Sequence, residues 1–323
     1  MPGMAFAPSR DFIYEVVTMK RKIVPYLLIL PHALFFGTFV IFPIFKSFYM
    51  SLTEWGLFQG MIRYVGFENY QRLFDLSGFR AQYFWQAVWV TTKFVIVTVP
   101  ALVILALLLA LLLNAKSLKG KNFYLTTFFL PTSIAVTVTA VIWRWIFSYR
   151  TGLVNYTLQS LGLEIIPWLT SMPWAFVAIV VTTLWWTVGW SMIILLGGLK
   201  RIPDTLYDAA RVDGAGVFQR FLNVTLPGLK NVMMFVCITQ ALASFGLFGQ
   251  SQLMTAGGPG RETLPAMLYI YNEAFNVARP RMGFAAAMSV IFGAIVLSVT
   301  FFQFYLFTRE RKEGMRRAAK PIT

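Results

Sequence analysis

PALVILALLLALLL, residues 100–113, has no polar side chain over fourteen consecutive positions. The apolar run around it extends over 84–114, which is longer than the roughly 20 residues a helix needs to cross the hydrocarbon core of a bilayer. The whole chain agrees, since 58% of its 323 residues are hydrophobic and 13% are charged, with a mean hydropathy of +0.66. Soluble domains carry about 25% charged residues. The stretch therefore predicts a membrane-spanning helix in an all-α integral membrane protein.

Five further segments share this length and apolar character, so the sequence predicts six transmembrane helices. The first contains Pro25, Pro31 and Pro43 and is expected to bend. The fifth is the least hydrophobic and carries Gln240 and Ser244. Polar residues of this kind are typical of a membrane helix that lines a cavity or packs at a helix interface. The predicted spans are 23–50, 84–114, 122–148, 173–198, 229–250 and 283–308, which make a transmembrane domain over 23–308 between an N-terminal segment, 1–22, and a basic tail, 309–323.

The basic residues predict the orientation. With the N-terminus inside, 18 Lys and Arg residues fall on the inner side and 7 on the outer side, as the positive-inside rule requires. We therefore expect a multi-pass protein of the cytoplasmic (inner) membrane with both termini in the cytoplasm. Lys46, Lys93 and Arg144 fall in the outer parts of spans, and their long stems are expected to reach the interface. A substrate or ion role for Lys93 is the alternative.

The net charge of +15 could also indicate a nucleic-acid partner, because basic patches neutralise phosphates. Here the basic residues lie in short clusters beside apolar runs. Such clusters are typical of contact with anionic membrane lipid, and no nucleic-acid partner is expected.

Several classes of function are disfavoured because the spans lack the residues that those functions need. None of the thirteen carboxylates falls inside a predicted span, whereas proton-coupled carriers commonly use intramembrane Asp, Glu or His. Only His32 is available for that role, although an ion-coupled secondary transporter remains the alternative function. The chain has no phosphate-binding loop, and its single histidine and single cysteine, Cys237, predict neither a catalytic site nor a metal site. An energy source must therefore come from a partner, and no cofactor is expected on this chain.

One loop, 199–228, differs from its apolar surroundings. Asp204 predicts a helix start, and Gly214 permits a turn. A second helical piece follows and is expected to end at Leu226 and Pro227, since proline cannot continue the preceding hydrogen bonds. This second piece carries an apolar stripe that is expected to lie on the transmembrane bundle: Val217, Phe218, Phe221 and Leu222.

The stretch YDAARVDGAGVFQRFLNVTLP, residues 207–227, resembles the EAA loop of ABC-transporter permeases. That pattern is Glu-Ala-Ala, three residues, Gly, nine residues, Ile, one residue and Leu-Pro. Asp208 and Val224 replace its Glu and Ile, and the other positions match at the same intervals. In the family this loop is the coupling helix that sits in a cleft of the ATPase subunit. The resemblance implies the ABC type I importer permease fold and an ATPase-coupling role for Asp208, Ala209, Ala210, Gly214, Val217, Phe218, Leu226 and Pro227.

Other stretches resemble the carbohydrate group of this family, which includes importers of maltodextrins, trehalose and glycerol 3-phosphate. The resemblance implies a sugar substrate, of the oligosaccharide, disaccharide or glycerol-phosphate class, and the first permease of the usual pair. It also implies three kinds of protein partner: a second homologous permease, an ATP-binding-cassette ATPase dimer that holds ATP and Mg, and an external substrate-binding protein. The stretches are IFPIFKSFYMSLTEW (41–55), VGFENYQRLF (65–74), FGLFGQSQLMTAGGPGRETLPAMLYIYNEAF (245–275) and MGFAAAMSVIFG (282–293).

Sugars stack on aromatic faces and hydrogen-bond to amides and hydroxyls, so the fourth and fifth spans offer candidate contacts. The alternative is that the tryptophans belong to an interfacial belt and the small polar residues join helices. Gln240 and Ser244 are one helical turn apart and share a face. The predicted substrate-pathway residues are Trp185, Trp186, Gln240, Ser244, Phe245 and Phe248.

Overall fold

The computed structural model describes residues 24–115, 117–276 and 281–318. The predicted N-terminal segment 1–22 lies outside these ranges, as do residues 319–323 of the predicted tail. Twelve helices and one hairpin follow one another in the described part of the chain. The helices are α1 (Val24–Ser51), α2 (Glu68–Phe74), α3 (Phe79–Asn114), α4 (Lys121–Ser133), α5 (Val136–Ile146), α6 (Leu153–Ser160), α7 (Trp174–Leu199), α8 (Asp204–Val212), α9 (Val217–Phe245), α10 (Gly249–Met254), α11 (Ala266–Tyr271) and α12 (Met282–Ala318), and the strands are β1 (Thr53–Gly56) and β2 (Gly60–Tyr64).

Five of these helices, α1, α3, α7, α9 and α12, are long and apolar enough to cross a membrane. Among them α9 has the lowest mean hydropathy, 1.5 against 1.9 to 3.1 for the others, as the sequence predicts for the fifth span. The sixth predicted span, 283–308, is right in position, but α12 continues to Ala318, so the helix includes part of the predicted tail.

The third predicted span, 122–148, is wrong as a continuous helix. It is divided into α4 and α5, whose axes differ by 102°. The break follows a 3₁₀ turn that contains Pro131, and Ile134 and Ala135 then adopt extended backbone. The indole N–H of Trp186 donates to the freed carbonyl of Ile134 at 2.9 Å. A break in an apolar environment is tolerated when a neighbouring helix satisfies the exposed backbone in this way.

Two prolines lie directly after π-helical turns. The turns Gly37–Ile41 and Phe221–Thr225 precede Phe42-Pro43 and Leu226-Pro227. In each turn the residue before proline donates its N–H five positions back, from Phe42 to Gly37 and from Leu226 to Phe221. Proline lacks an N–H and its ring collides with the carbonyl four positions earlier, and the wider turn relieves both problems.

α1 is one helix of 28 residues that includes Pro43 and its π turn, and the bend expected in the first span stays a prediction. The π turn in α9 corrects a prediction. Leu226 and Pro227 do not end the second helical piece of the loop, because α9 runs without interruption from Val217 to Phe245. The fifth predicted span, 229–250, is also wrong at its far end. α9 stops at Phe245, and Gln250 lies in the separate helix α10.

The long helices share one core. Fully buried Ala106, Met192, Leu195, Leu229 and Met288 join α3, α7, α9 and α12. Lys93, near the middle of α3, contacts Phe176 in the first turn of α7. The hairpin packs on the start of α12, where Gly283 lies so close to the backbone of Thr53 that a Cβ would collide with it. We call this the hairpin end of the bundle and the opposite end, where α7 leads into α8, the loop end.

Candidate functional site

A cavity of about 460 Å³ lies where α9 ends, between α5, α7 and α10. Its volume falls within the ~300–1,000 Å³ that is usual for small-molecule sites. The break between α9 and α10 exposes irregular backbone to it, as expected where a discontinuous helix lines a cavity. None of the lining residues is charged: Phe94, Val136, Thr137, Thr183, Trp186, Thr187, Gln240, Ala243, Ser244, Gly246, Leu247, Phe248, Gly249, Gln250, Gln252 and Leu253.

The polar groups of the cavity are amides and hydroxyls. Gln240 and Ser244 are 7% and 8% exposed and lie one turn apart on α9. On the facing helix, the hydroxyls of Thr183 and Thr187 donate to the carbonyls of Ile179 and Thr183 at 2.9 and 2.7 Å. Their oxygen lone pairs can therefore still accept hydrogen bonds. The Gln250 amide also approaches Thr183 Oγ1, at 3.5 Å. The wall thus presents neutral donors and acceptors next to aromatic rings.

The structure separates the six predicted pathway residues into two groups. Trp186, Gln240, Ser244 and Phe248 line the cavity. Trp185 and Phe245 do not line this cavity, and a pathway role for them stays a prediction. Successive helical residues point about 100° apart. The ring of Trp185 therefore turns away from the cavity and packs on Trp143, with centroids 5.6 Å apart, and that of Phe245 lies against Phe292 at 6.3 Å.

Sequence analysis missed several lining residues. Thr183 and Thr187 are four positions apart, the spacing that places two side chains on one helix face, and that spacing could have identified them. Phe94 and Gln252 come from segments that only the tertiary packing brings to the cavity.

The segment between α10 and α12 is fixed to α3. The Thr91 hydroxyl accepts the buried N–H of Ala266 at 2.9 Å. Nε of Arg80 lies 3.0 Å from Oε1 of the buried Glu273, an ion pair whose angle falls short of a hydrogen bond. The Tyr269 hydroxyl donates to the Arg80 carbonyl at 3.2 Å. Burial, with a further contribution from Glu273, raises the pKa of Tyr269 to about 12, so this hydroxyl stays a donor at neutral pH.

Replacing Thr91 by valine is expected to loosen this attachment. The isosteric change leaves the Ala266 N–H buried without its acceptor, and the free energy of unfolding should fall by about 1–3 kcal/mol. Thr92 is the matched control, because its hydroxyl bonds only to the Val88 carbonyl of its own helix. Thr92→Val should change stability by no more than about 0.5 kcal/mol. Thermal melting of the purified variants measures both, and equal losses would contradict the assignment.

The 199–228 loop forms a second site at the loop end. α8 begins at Asp204, as expected, directly after Pro203, and the Asp204 carboxylate lies in the first turn. Gly214 has φ +77°. Its N–H donates to Arg211 at 3.0 Å, and that of Ala215 donates to Ala210 at 2.9 Å. This is the pair of bonds of a Schellman motif, which reverses the chain at a helix end.

The two helices of this loop are held at a fixed distance from the bundle. The Tyr207 hydroxyl on α8 lies 3.0 Å from Thr225 Oγ1 on α9. Gly228 and Gly198 pack so closely on Ile202 and Leu229 that a Cβ at either position would come within 3.0 Å of those side chains. The loop is therefore a defined surface. The Asp208–Arg211 ion pair, at 2.6 Å, is exposed and adds little stability.

The exposed face of the loop is apolar. Val212, Val217 and Phe218 are 89%, 77% and 70% exposed, next to the exposed Asp208 and Ala209. The predicted stripe on the bundle is therefore only partly right. Phe221 packs against the core, whereas Val217 and Phe218 in the first turn of α9 are exposed. Exposed apolar clusters of this kind mark contacts with another protein or with the membrane.

Comparison with known proteins identifies related chains. The model of the family described as "binding-protein-dependent transport system inner membrane component" matches residues 76–312. The sulfoquinovosyl glycerol transport system permease protein SmoG of Agrobacterium fabrum is 33% identical, over 86% of this chain and 88% of the relative. The lactose transport system permease protein LacF of Rhizobium radiobacter is 35% identical, over 89% and 94%.

A third relative and a solved structure cover similar shares of the chain. The trehalose/maltose transport system permease protein MalF of Thermococcus litoralis is 34% identical, over 85% of this chain and 90% of the relative. A chain in the crystal structure of a bacterial alginate ABC transporter, in complex with an alginate pentasaccharide-bound periplasmic protein, superposes with a TM-score of 0.77. It is 23% identical, over 90% of this chain and 96% of that one.

Proposed function

Because this chain belongs to the family of binding-protein-dependent transport system inner membrane components, we propose that it is one of the two permease subunits of an ATP-driven sugar importer. Its relatives include permeases of lactose and of trehalose/maltose transport systems. Family members are transport permeases rather than enzymes, and the secondary transporter expected as the alternative is set aside by this membership. The observation that carries the substrate proposal is the uncharged, amide-rich cavity at the end of α9.

The cavity favours a neutral sugar over a glycerol phosphate. Amides, hydroxyls and the rings of Trp186 and Phe248 match the hydroxyls and the apolar faces of a pyranose. A phosphate needs charge-assisted partners such as Arg or Lys, and the wall that this chain provides contains none. Two cations of the spans adjoin the cavity but do not line it. Lys93 lies over the Phe176 ring at 5.4 Å, and Arg144 donates to the Leu253 carbonyl at 3.2 Å. The substrate is therefore a neutral disaccharide or oligosaccharide.

A second permease completes the cavity. Ala243 and Gly246 line it and are also exposed on the surface of this chain, so the wall is open on that side. A homologous subunit against this face encloses the sugar between the two permeases. Residues 65–74 and 268–275 resemble the corresponding segments of the first permease of the usual pair. This resemblance supports the assignment of the chain to that subunit.

The motor is an ATP-binding-cassette ATPase dimer that holds ATP and Mg and docks on the 199–228 loop. The apolar face around Val212 and Phe218 supports this docking, and the distribution of basic residues, 18 against 7, supports a cytoplasmic position for the loop and both termini. The hairpin end then faces outward, where the external substrate-binding protein delivers the sugar. Among the described residues, no group of His, Cys, Asp or Glu could hold a metal ion.

Gln240→Leu is expected to lower sugar uptake about tenfold or more. The sugar hydroxyl that the Gln240 amide would bond is then buried without a hydrogen-bond partner. The measurement is uptake of a labelled disaccharide by proteoliposomes that hold the complete transporter, with the binding protein outside. Thr239→Val is the matched control, since the Thr239 hydroxyl bonds to the Phe235 carbonyl of its own helix and does not line the cavity. If both variants retain wild-type uptake, the cavity is not the sugar site.

A further inference from the structure

A second cavity of about 500 Å³ lies beside the first, between the hairpin-end half of α1, α11 and the first turns of α12. Its lining residues include the aromatic Tyr271 and Phe275 together with the polar Ser47, Ser289 and Lys46. Aromatic faces next to hydroxyl and ammonium donors are groups that can bind a sugar ring. We call it the lateral cavity.

One residue is common to the walls of both cavities, and it is Phe248. Its ring packs edge-on against Tyr271, with centroids 5.3 Å apart and an interplanar angle of 80°. On its other side it faces the space next to Gln240 and Ser244. The Phe248 side chain is thus the partition between a cavity of about 460 Å³ and one of about 500 Å³.

The backbone around this partition is irregular. Phe248 lies in the break between α9 and α10 and has φ −148° and ψ −68°, outside the helical and extended regions. Gly246 lies two positions before it and Gly249 follows it. Because the helical hydrogen-bond pattern is interrupted here, the backbone can adjust more readily than in the middle of a helix.

We propose that Phe248 determines the length of the sugar that this permease accepts, and that the lateral cavity is a further subsite for the next sugar residue of an oligosaccharide. With the ring on Tyr271, as in the structure, the polar cavity alone holds a short sugar. Removal or rotation of the ring joins the two cavities. This inference rests on the proposed sugar transport.

The test compares two phenylalanines three positions apart. Phe248→Ala removes the partition, whereas Phe245→Ala removes the same volume from a ring that lies on Phe292 and lines neither cavity. Each variant is reconstituted in the complete transporter. The probes are a disaccharide and a tetrasaccharide of the same neutral series, chosen so that the binding protein has nearly equal affinity for both. The quantity measured is the ratio of tetrasaccharide to disaccharide uptake, which is independent of the amount of folded protein.

We expect Phe248→Ala to raise this ratio about tenfold or more and Phe245→Ala to leave it unchanged. Phe248→Leu, which keeps a packed side chain, should give an intermediate ratio and serves where the alanine variant folds poorly. An unchanged ratio in both Phe248 variants, or an equal rise in Phe245→Ala, overturns the inference. Failure of the wild-type transporter to take up either sugar would instead contradict the proposed function.

Discussion

Valine in place of Gly214 is expected to reduce sugar uptake about tenfold or more while the protein still inserts in the membrane and assembles. At φ +77° a side chain meets its own backbone, at a cost of about 1–2 kcal/mol for an ordinary residue, and a β-branched residue fits there least well. The chain relieves this strain by giving up the two Schellman bonds to Arg211 and Ala210. The angle between α8 and α9 then changes. The positions of the exposed Val212 and Phe218 side chains relative to each other change with it.

Gly216→Val is the matched control for this prediction. Gly216 lies two positions further along, in extended backbone with φ −66° and ψ 173° that valine adopts freely. A Cβ there meets only Gln219 Oε1, at the ordinary distance of 3.8 Å. Its uptake should stay within about twofold of wild type. Uptake by proteoliposomes, normalised to the amount of permease, measures both variants. Equal uptake in the two would show that the left-handed turn is not needed for coupling.

Phe218→Asp is expected to weaken the association with the ATPase subunits about thirtyfold or more, which corresponds to about 2 kcal/mol for a central contact residue. The Phe218 ring is 70% exposed next to Val217 and Val212. If the ATPase covers this patch, the change both removes an aromatic contact and buries an unpaired carboxylate. The measurement is a titration of purified ATPase onto the permease pair in lipid nanodiscs, together with the amount of ATPase that co-purifies.

The control for that variant is Phe58→Asp, which places the same charge on a ring that is 92% exposed at the tip of the hairpin. It lies at the opposite end of the bundle and should leave ATPase binding unchanged. Uptake by Phe218→Asp should fall in parallel with binding. Undiminished ATPase binding by Phe218→Asp would remove the 199–228 loop as the docking surface.

Much of the fold could be predicted from the sequence, because a bilayer requires long apolar helices and those runs are plain in the chain. The exceptions have local causes. The break after Ser133 lies in Ile-Ala-Val-Thr-Val-Thr, which is as apolar as a helix interior, so hydropathy gives no sign of it. The end of α9 at Phe245 is hidden in the same way, since the apolar character continues through Leu247 and Phe248. The hairpin was not predicted at all.

The cavity was predicted in part. Gln240 and Ser244 stood out because two polar residues share one face of an apolar helix. Trp185 and Trp186 could not be told apart, because the sequence shows that a helix is present but not which side of it faces the cavity. Threonines 183 and 187 were overlooked because a threonine in a membrane helix commonly bonds to its own backbone, which both of them also do.

The π turn before Pro227 makes the proposed ATPase-docking surface and the proposed sugar cavity two ends of a single helix. Phe218 near one end and Ser244 near the other are separated by 26 residues of unbroken helix, or about 39 Å at 1.5 Å per residue. If the helix tilts as one body, a few degrees of tilt at the Phe218 end would move the Ser244 end by an ångström or more. If Pro227 had ended the helix, a flexible joint would lie between the loop and the cavity. A displacement of the loop would then not be transmitted to the cavity.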